Sequence, residues 1–127
     1  MTDPDTQGDN RSFLVLIVED EFFIALELES ALIESGYSVL GPATSVKAAL
    51  DMLAHQRPDG AILDVHLGRE VVTPVALKLK AMGVPFFLAS ASDADDLNWD
   101  AELSDAMNLG KPTNLKRLIG AFDNLSR

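Results

Sequence analysis

Two rhythms of apolar and polar residues take turns along this chain. Residues 13–18 (FLVLIV) form an unbroken apolar run, too short for a buried helix and typical of a strand covered on both faces. After Glu19-Asp20-Glu21 the spacing changes: Ile24, Ala25, Leu28, Ala31 and Leu32 recur as one helical stripe, and Gly36 stands where a helix cap belongs. A second strand over 37–40 is expected to stop at Gly41-Pro42. Ser45 can cap a helix with Val46, Ala49, Leu50 and Leu53 on its inner face, closed by Pro58. Residues 60–64 (GAILD) read as a third strand, and 65–73 as a loop. Pro74 opens a helix with Val75, Leu79 and Met82 inward, and Gly83 stops it. Residues 85–90 (PFFLAS) give a fourth strand. Trp99, Leu103 and Ala106 form only a thin stripe over 92–107, diluted by four Asp between 93 and 100. Residues 107–109 are a very short fifth strand, and Leu115, Leu118, Ile119, Phe122 and Leu125 share one face of a last helix.

Five alternations of strand and helix predict an α/β domain over 13–127, preceded by a disordered leader at 1–12. Its sheet is expected to be doubly wound, parallel and five-stranded, in the order 2-1-3-4-5, with an atypical fourth helix. Ligands of such sheets bind beyond the C-terminal strand ends.

Composition narrows the function. The chain has 127 residues, 47% of them hydrophobic and 24% charged, which suits one soluble domain. A formal charge of −10 repels a phosphate backbone and argues against nucleic acid as partner. Cysteine is absent, which excludes disulfides, thiolate metal sites and a thiol nucleophile. No apolar run reaches the ~20 residues of a membrane span, and the leader lacks the basic and apolar parts of a secretory signal.

Chemistry gathers at the predicted strand ends: Glu19 and Asp20 after the first, Asp64 after the third, Ser90 after the fourth and Lys111 after the fifth. Each has an ordinary explanation. An acidic run suits a helix N-terminus, an Asp after a strand is a common loop residue, and Lys-Pro pairs are frequent. Their placement in order around one crevice is what singles them out. Converging carboxylates need a positive partner, and hard oxygen ligands suit Mg²⁺. A lysine and a hydroxyl beside them suit an anion in phosphoryl transfer.

Val18-Glu19-Asp20-Glu21, Ile62-Leu63-Asp64, Leu88-Ala89-Ser90-Ala91 and Lys111-Pro112 together resemble the signature of two-component response-regulator receiver domains, across about residues 13–125. Gly41-Pro42-Ala43, the DVHLG stretch, Pro74-Val75-Ala76 and Val84-Pro85-Phe86-Phe87 resemble α-proteobacterial receivers paired with HWE-type histidine kinases. The PFxFATGY segment of those receivers here reads PFFLASAS. The resemblance implies a flavodoxin-like receiver fold with Asp64 as phosphoacceptor. Asp20 is then a direct Mg²⁺ ligand and Glu19 one acting largely through water, joined by Asp64 and the backbone carbonyl of His66. Lys111 is implied to pair with the phosphoryl group and Ser90 to supply the switch hydroxyl. The side chains of His66 and His55 are expected at the surface.

One position departs from the family. Three residues before Lys111, where receivers carry a large ring or other bulky group, stands Asn108. It has little apolar area to bury, so it is expected to contribute little to switching. Phe22, Leu26 and Ile33 lie on the first helix away from the inner stripe, as a kinase-facing surface or as packing against the last helix.

The expected function is a single-domain response regulator, not an enzyme, signalling by protein contact or acting as a phosphate sink or relay. Its expected partner is a histidine kinase, possibly of HWE type, or a histidine phosphotransfer protein. The expected setting is the cytoplasm, as a monomer or weak dimer. A receiver-like interaction module without phosphorylation is the alternative. An aspartyl-phosphate hydrolase is a more distant one, because His66 replaces the second Asp that haloacid-dehalogenase chemistry needs.

Overall fold

A computed structural model describes residues 13–90, 103 and 106–126. The expected leader, Trp99 and most of the 92–107 segment, with its fourth helix, lie outside the described residues. The elements run β1 (Leu14–Val18), α1 (Phe22–Glu34), β2 (Ser38–Ala43), α2 (Val46–His55), β3 (Gly60–Leu63), β4 (His66–Leu67), β5 (Glu70–Val71), α3 (Thr73–Met82), β6 (Phe86–Leu88) and α4 (Leu115–Ser126).

Four parallel strands form the main sheet in the order β2-β1-β3-β6. They fill the first four places of the expected order. At the fifth place there is a single parallel bridge between Asn108 and Leu88 rather than a strand. Two backbone bonds make it, from Leu88 N to Met107 O (2.8 Å) and from Leu109 N to Leu88 O (2.7 Å).

The alternation of strand side chains divides the interior in two. Leu16, Val18, Ala61, Leu63 and Leu88 face Ala49 and Leu53 of α2 and Val75, Ala76 and Leu79 of α3. Buried Leu103 joins that cluster, so the thin stripe of the acidic segment does reach the core. Val15, Ile17 and Ile62 face Leu28 and Leu32 of α1 and Leu118 and Phe122 of α4. The stripes read from spacing are therefore the buried faces, apart from Leu125, which lies exposed.

Local chemistry sets the helix ends. Ser45 Oγ accepts from Ala48 N (3.0 Å) at the start of α2. At the end of α1, Gly36 takes φ +95° while Tyr37 N donates to Leu32 O and Gly36 N to Ile33 O, the pair of bonds of a Schellman cap.

Two boundaries correct the sequence reading. β2 does not stop at Gly41 but runs through Pro42 to Ala43. It is an edge strand, where proline is tolerated, and the pairing with β1 shifts register between Leu16 and Val18 beside it. Residues 65–73 are not a plain loop either. β4 and β5 pair antiparallel across a two-residue turn at Gly68-Arg69, with Leu67 buried beneath.

Phe122 centres the second cluster, with Phe87, Tyr37 and Phe13 ring centroids at 5.1, 6.2 and 6.4 Å. It leans on Gly60, where an added Cβ would lie 2.9 Å from Phe122 Cε1. We expect Phe122→Ala to cost about 3–5 kcal/mol of stability in urea unfolding. Gly60→Ala should destabilise by about 1–3 kcal/mol, and far less in the Phe122→Ala background. Equal costs in both backgrounds would show that the ring is not what Gly60 makes room for.

Candidate functional site

Three strand ends converge. Glu19 and Asp20 follow β1, Asp64 follows β3, and Ser90 lies two residues past β6. Ladder bonds carry the backbone beyond each strand: Glu19 N donates to Ala43 O (2.9 Å), Asp64 N to Val18 O (2.8 Å) and Ala89 N to Leu63 O (2.8 Å). The residues that begin the crevice are thus held as firmly as the strands. Glu19, Asp64 and Ser90 are the buried polar or charged residues among the described ones.

The acidic run does not serve α1 as a cap. That helix has no acid in its first turn, and the Glu21 side chain at its N-cap makes no capping bond. The carboxylates face one another instead: one oxygen from each of Glu19, Asp20 and Asp64 lies within 4.8 Å of the others. Lys111 Nζ donates to Asp64 Oδ2 (2.9 Å) and to Glu19 Oε2 (3.3 Å). Glu19 Oε2 also accepts from Glu21 N (3.1 Å), whereas buried Glu19 Oε1 has no hydrogen-bond partner among the described residues. Asp20 Oδ2 accepts from Gly68 N (2.9 Å), which ties the β4–β5 turn to the cluster.

Charge makes this arrangement incomplete. If all three carboxyls ionise, one ammonium leaves two negative charges in excess, the charge of one divalent cation. Without a cation the protein compensates with a proton. Burial, reinforced by the charge on Asp64, pushes the Glu19 carboxyl up to about 7, against the lowering effect of Glu21 N and Lys111. Burial alone would lower Lys111, but its bonds and charge attraction to Asp64 and Glu19 outweigh this and raise it above its ordinary value. An unpartnered buried oxygen, three clustered hard donors and a divalent charge deficit fit a Mg²⁺-type ion.

An open cavity of about 430 Å³ leads to the cluster, lined by Asp20, Asp64, His66, Ser90 and Lys111 among others. The structure therefore brings together every residue that the sequence singled out for the site. His55, expected at the surface, is exposed and bonds to Asp51 O.

Comparison with known proteins assigns the family. The family model described as response regulator receiver domain matches residues 15–123. The chain belongs to the response regulator receiver family. Transcriptional regulatory protein PdtaR of Mycobacterium tuberculosis is 32% identical over 126 residues, covering 97% of this chain and 62% of that protein. Response regulator MprA of Mycobacterium bovis is 32% identical over 121 residues, covering 91% of this chain and 51% of the relative. The chain thus spans between half and two thirds of the curated relatives it matches. Among solved structures, the BeF3-activated conformation of SdrG from Pseudomonas melonis Fr1 matches with a TM-score of 0.74 and 34% identity, over 91% of this receiver and 97% of that chain.

Two contributors escaped the sequence reading of this receiver. The Gly68 amide left no signal beyond a glycine in a presumed loop. Asn108 was set aside for its small size, yet its side chain bonds Ser90 N (3.1 Å), Ser90 O (3.3 Å) and Gly110 N (2.9 Å). In place of apolar area, the amide supplies donors and acceptors, which its size does not reveal. No helix among the described residues is long and apolar enough to cross a membrane.

The raised Glu19 carboxyl yields a prediction. Between pH 4.5 and about 7 the folded chain holds a proton that the unfolded chain releases, so the contribution of Glu19 to stability falls as pH rises through this window. In EDTA, the urea midpoint of wild type minus that of Glu19→Gln should decline from pH 4.5 to 8, and MgCl₂ should flatten the decline. A difference independent of pH in EDTA would show that Glu19 titrates normally.

Proposed function

We propose that this receiver accepts a phosphoryl group on Asp64 in the presence of Mg²⁺. The observation that carries the reading is the buried Asp64 carboxylate, held at 2.9 Å by Lys111 beside two further carboxylates at the mouth of an open cavity. An Asp64 oxygen attacks the phosphorus of a phosphohistidine. The P–N bond breaks as the P–O bond forms, and the leaving imidazole takes up a proton. Lys111 is placed to exchange its contact with Asp64 for one with the incoming phosphoryl oxygens, and Ser90 lines the same cavity as a hydroxyl donor. Asp20, Asp64 and the His66 carbonyl are the direct ligands in this reading, with Glu19 acting largely through water. Bound there, Mg²⁺ neutralises charge on the phosphoryl oxygens.

Receivers in general interact with histidine kinases or phosphotransfer proteins, and we assign such a donor here, of HWE type on the sequence resemblance. The charge of −10 disfavours nucleic acid. A donor that draws on ATP, and a chain without cysteine, suit the cytoplasm. The domain acts as phosphoacceptor rather than enzyme, as a monomer or weak dimer, with protein contact, sink or relay as output. SdrG has been solved in a BeF3-activated conformation, and the same phosphoryl mimic is a suitable probe here.

Phosphotransfer from an active kinase should label wild type and leave Asp64→Asn unlabelled, and excess EDTA should suppress it. Labelling of Asp64→Asn at the wild-type rate would refute the assignment.

The kinase should meet α1. Phe22 (71% exposed), Phe23 (81%), Leu26 (45%) and Ile33 (54%) give that helix an apolar outer face next to the site, more than a solvated surface needs. Packing against the last helix does not cover them. Phe22→Ser should slow labelling by the kinase about tenfold, a loss of roughly 1.4 kcal/mol of contact, while labelling by acetyl phosphate stays unchanged. Equal slowing with both donors would place the residue in the fold rather than the contact.

A further inference from the structure

Among the described residues, the bridge to the 107–109 segment ends at Leu88, and Ser90 lies past the last strand pairing of the main sheet. The Asn108 side chain supplies what a strand would. Its Oδ1 accepts from Ser90 N at 3.1 Å and its Nδ2 donates to Ser90 O at 3.3 Å, so a side-chain amide pairs with the Ser90 backbone as one more rung of the ladder. The same Oδ1 accepts from Gly110 N at 2.9 Å. Gly110 has φ +84° and immediately precedes Lys111, whose Nζ lies 2.9 Å from Asp64 Oδ2. One oxygen atom therefore joins the backbone carrying the hydroxyl to the backbone carrying the ammonium.

We infer that Asn108 is a positioning residue that sets the separation of Ser90 and Lys111 around the Asp64 carboxylate through these three hydrogen bonds. The inference rests on Asp64 being the phosphoacceptor. It makes Asn108 matter by bonding rather than by bulk. Without the amide, Ser90 N and Gly110 N lose their common acceptor, and beyond the bridge at Leu88 the two segments lose this link between them. The carboxylate cluster does not depend on it, because Glu19, Asp20 and Asp64 are placed by β1, β3 and Gly68.

The test compares the wild-type chain, Asn108→Ala and Asn108→Leu, the last close to asparagine in shape but without polar atoms. Acetyl phosphate with Mg²⁺ is the phosphoryl donor, so no kinase contact is involved. We expect both variants to label Asp64 about tenfold more slowly, the order of loss when reacting groups are slightly misplaced. Mg²⁺ affinity should stay within about twofold of wild type. In amide NMR spectra the Ser90 and Gly110 signals should shift together in both variants, while the Mg²⁺-induced shifts at Asp20 and Asp64 persist. If Asn108→Ala does not fold, Asn108→Asp replaces it: the accepting oxygen remains and only the bond donated to Ser90 O is lost. Its Ser90 and Gly110 signals should stay near their wild-type positions and its labelling should be slowed less than that of Asn108→Leu; slowing as large as in Asn108→Leu with those signals unmoved overturns the inference. Wild-type labelling in a folded Asn108→Ala, or recovery in Asn108→Leu, overturns the inference, the second outcome showing that volume alone matters. Failure of wild type itself to label, with Mg²⁺ bound, overturns the phosphoacceptor reading and this inference with it. That outcome is distinct because it appears before any variant is compared.

Discussion

Mutual repulsion among three carboxylates at one end of a parallel sheet is the constraint on which this domain is arranged. Glu19, Asp20 and Asp64 cannot be ionised together at such range without opposing charge. Lys111 supplies part of it from the far edge of the sheet, which requires the segment before it to come alongside β6. The bridge at Leu88 and the turn at Gly110 bring it there. The rest of the opposing charge comes from outside the chain or, failing that, from a proton on Glu19. Fold and chemistry are thus linked through one deficit: the strands create it, and a divalent cation would relieve it.

Much of this was legible in the sequence, because the signals there were physical ones. Strands covered on both faces must be apolar throughout, and residues 13–18 and 60–63 are. Helices covering such a sheet must be apolar on one side, and the stripes at Leu28/Leu32, Ala49/Leu53, Val75/Leu79 and Leu118/Phe122 are the buried ones. Once five alternations were counted, the doubly wound arrangement placed the site at the strand ends, and the acids, hydroxyl and lysine there fell together.

What escaped has a common cause. The β4–β5 pair depends on two ladder contacts and one buried leucine, too little to impose a period on six residues. The course of β2 through Gly41-Pro42 is decided by its place at the edge, which is a property of the whole sheet. The size of the Asn108 side chain says nothing of its three hydrogen bonds, which depend on backbone groups that converge on it. In each case the deciding partner is distant in sequence or has no side-chain signature.

Pro42 on the outermost strand has a consequence for how copies of this domain meet. A bare parallel edge offers a row of donors and acceptors to any extended chain that drifts alongside. The shifted register beside Pro42 breaks the even spacing that a neighbouring backbone would need to match. The domain can therefore leave β2, half-buried along most of its length, at the edge of the sheet without inviting sheet-to-sheet growth. Such protection keeps this edge from adding to the apolar exposure already present on the outer face of α1.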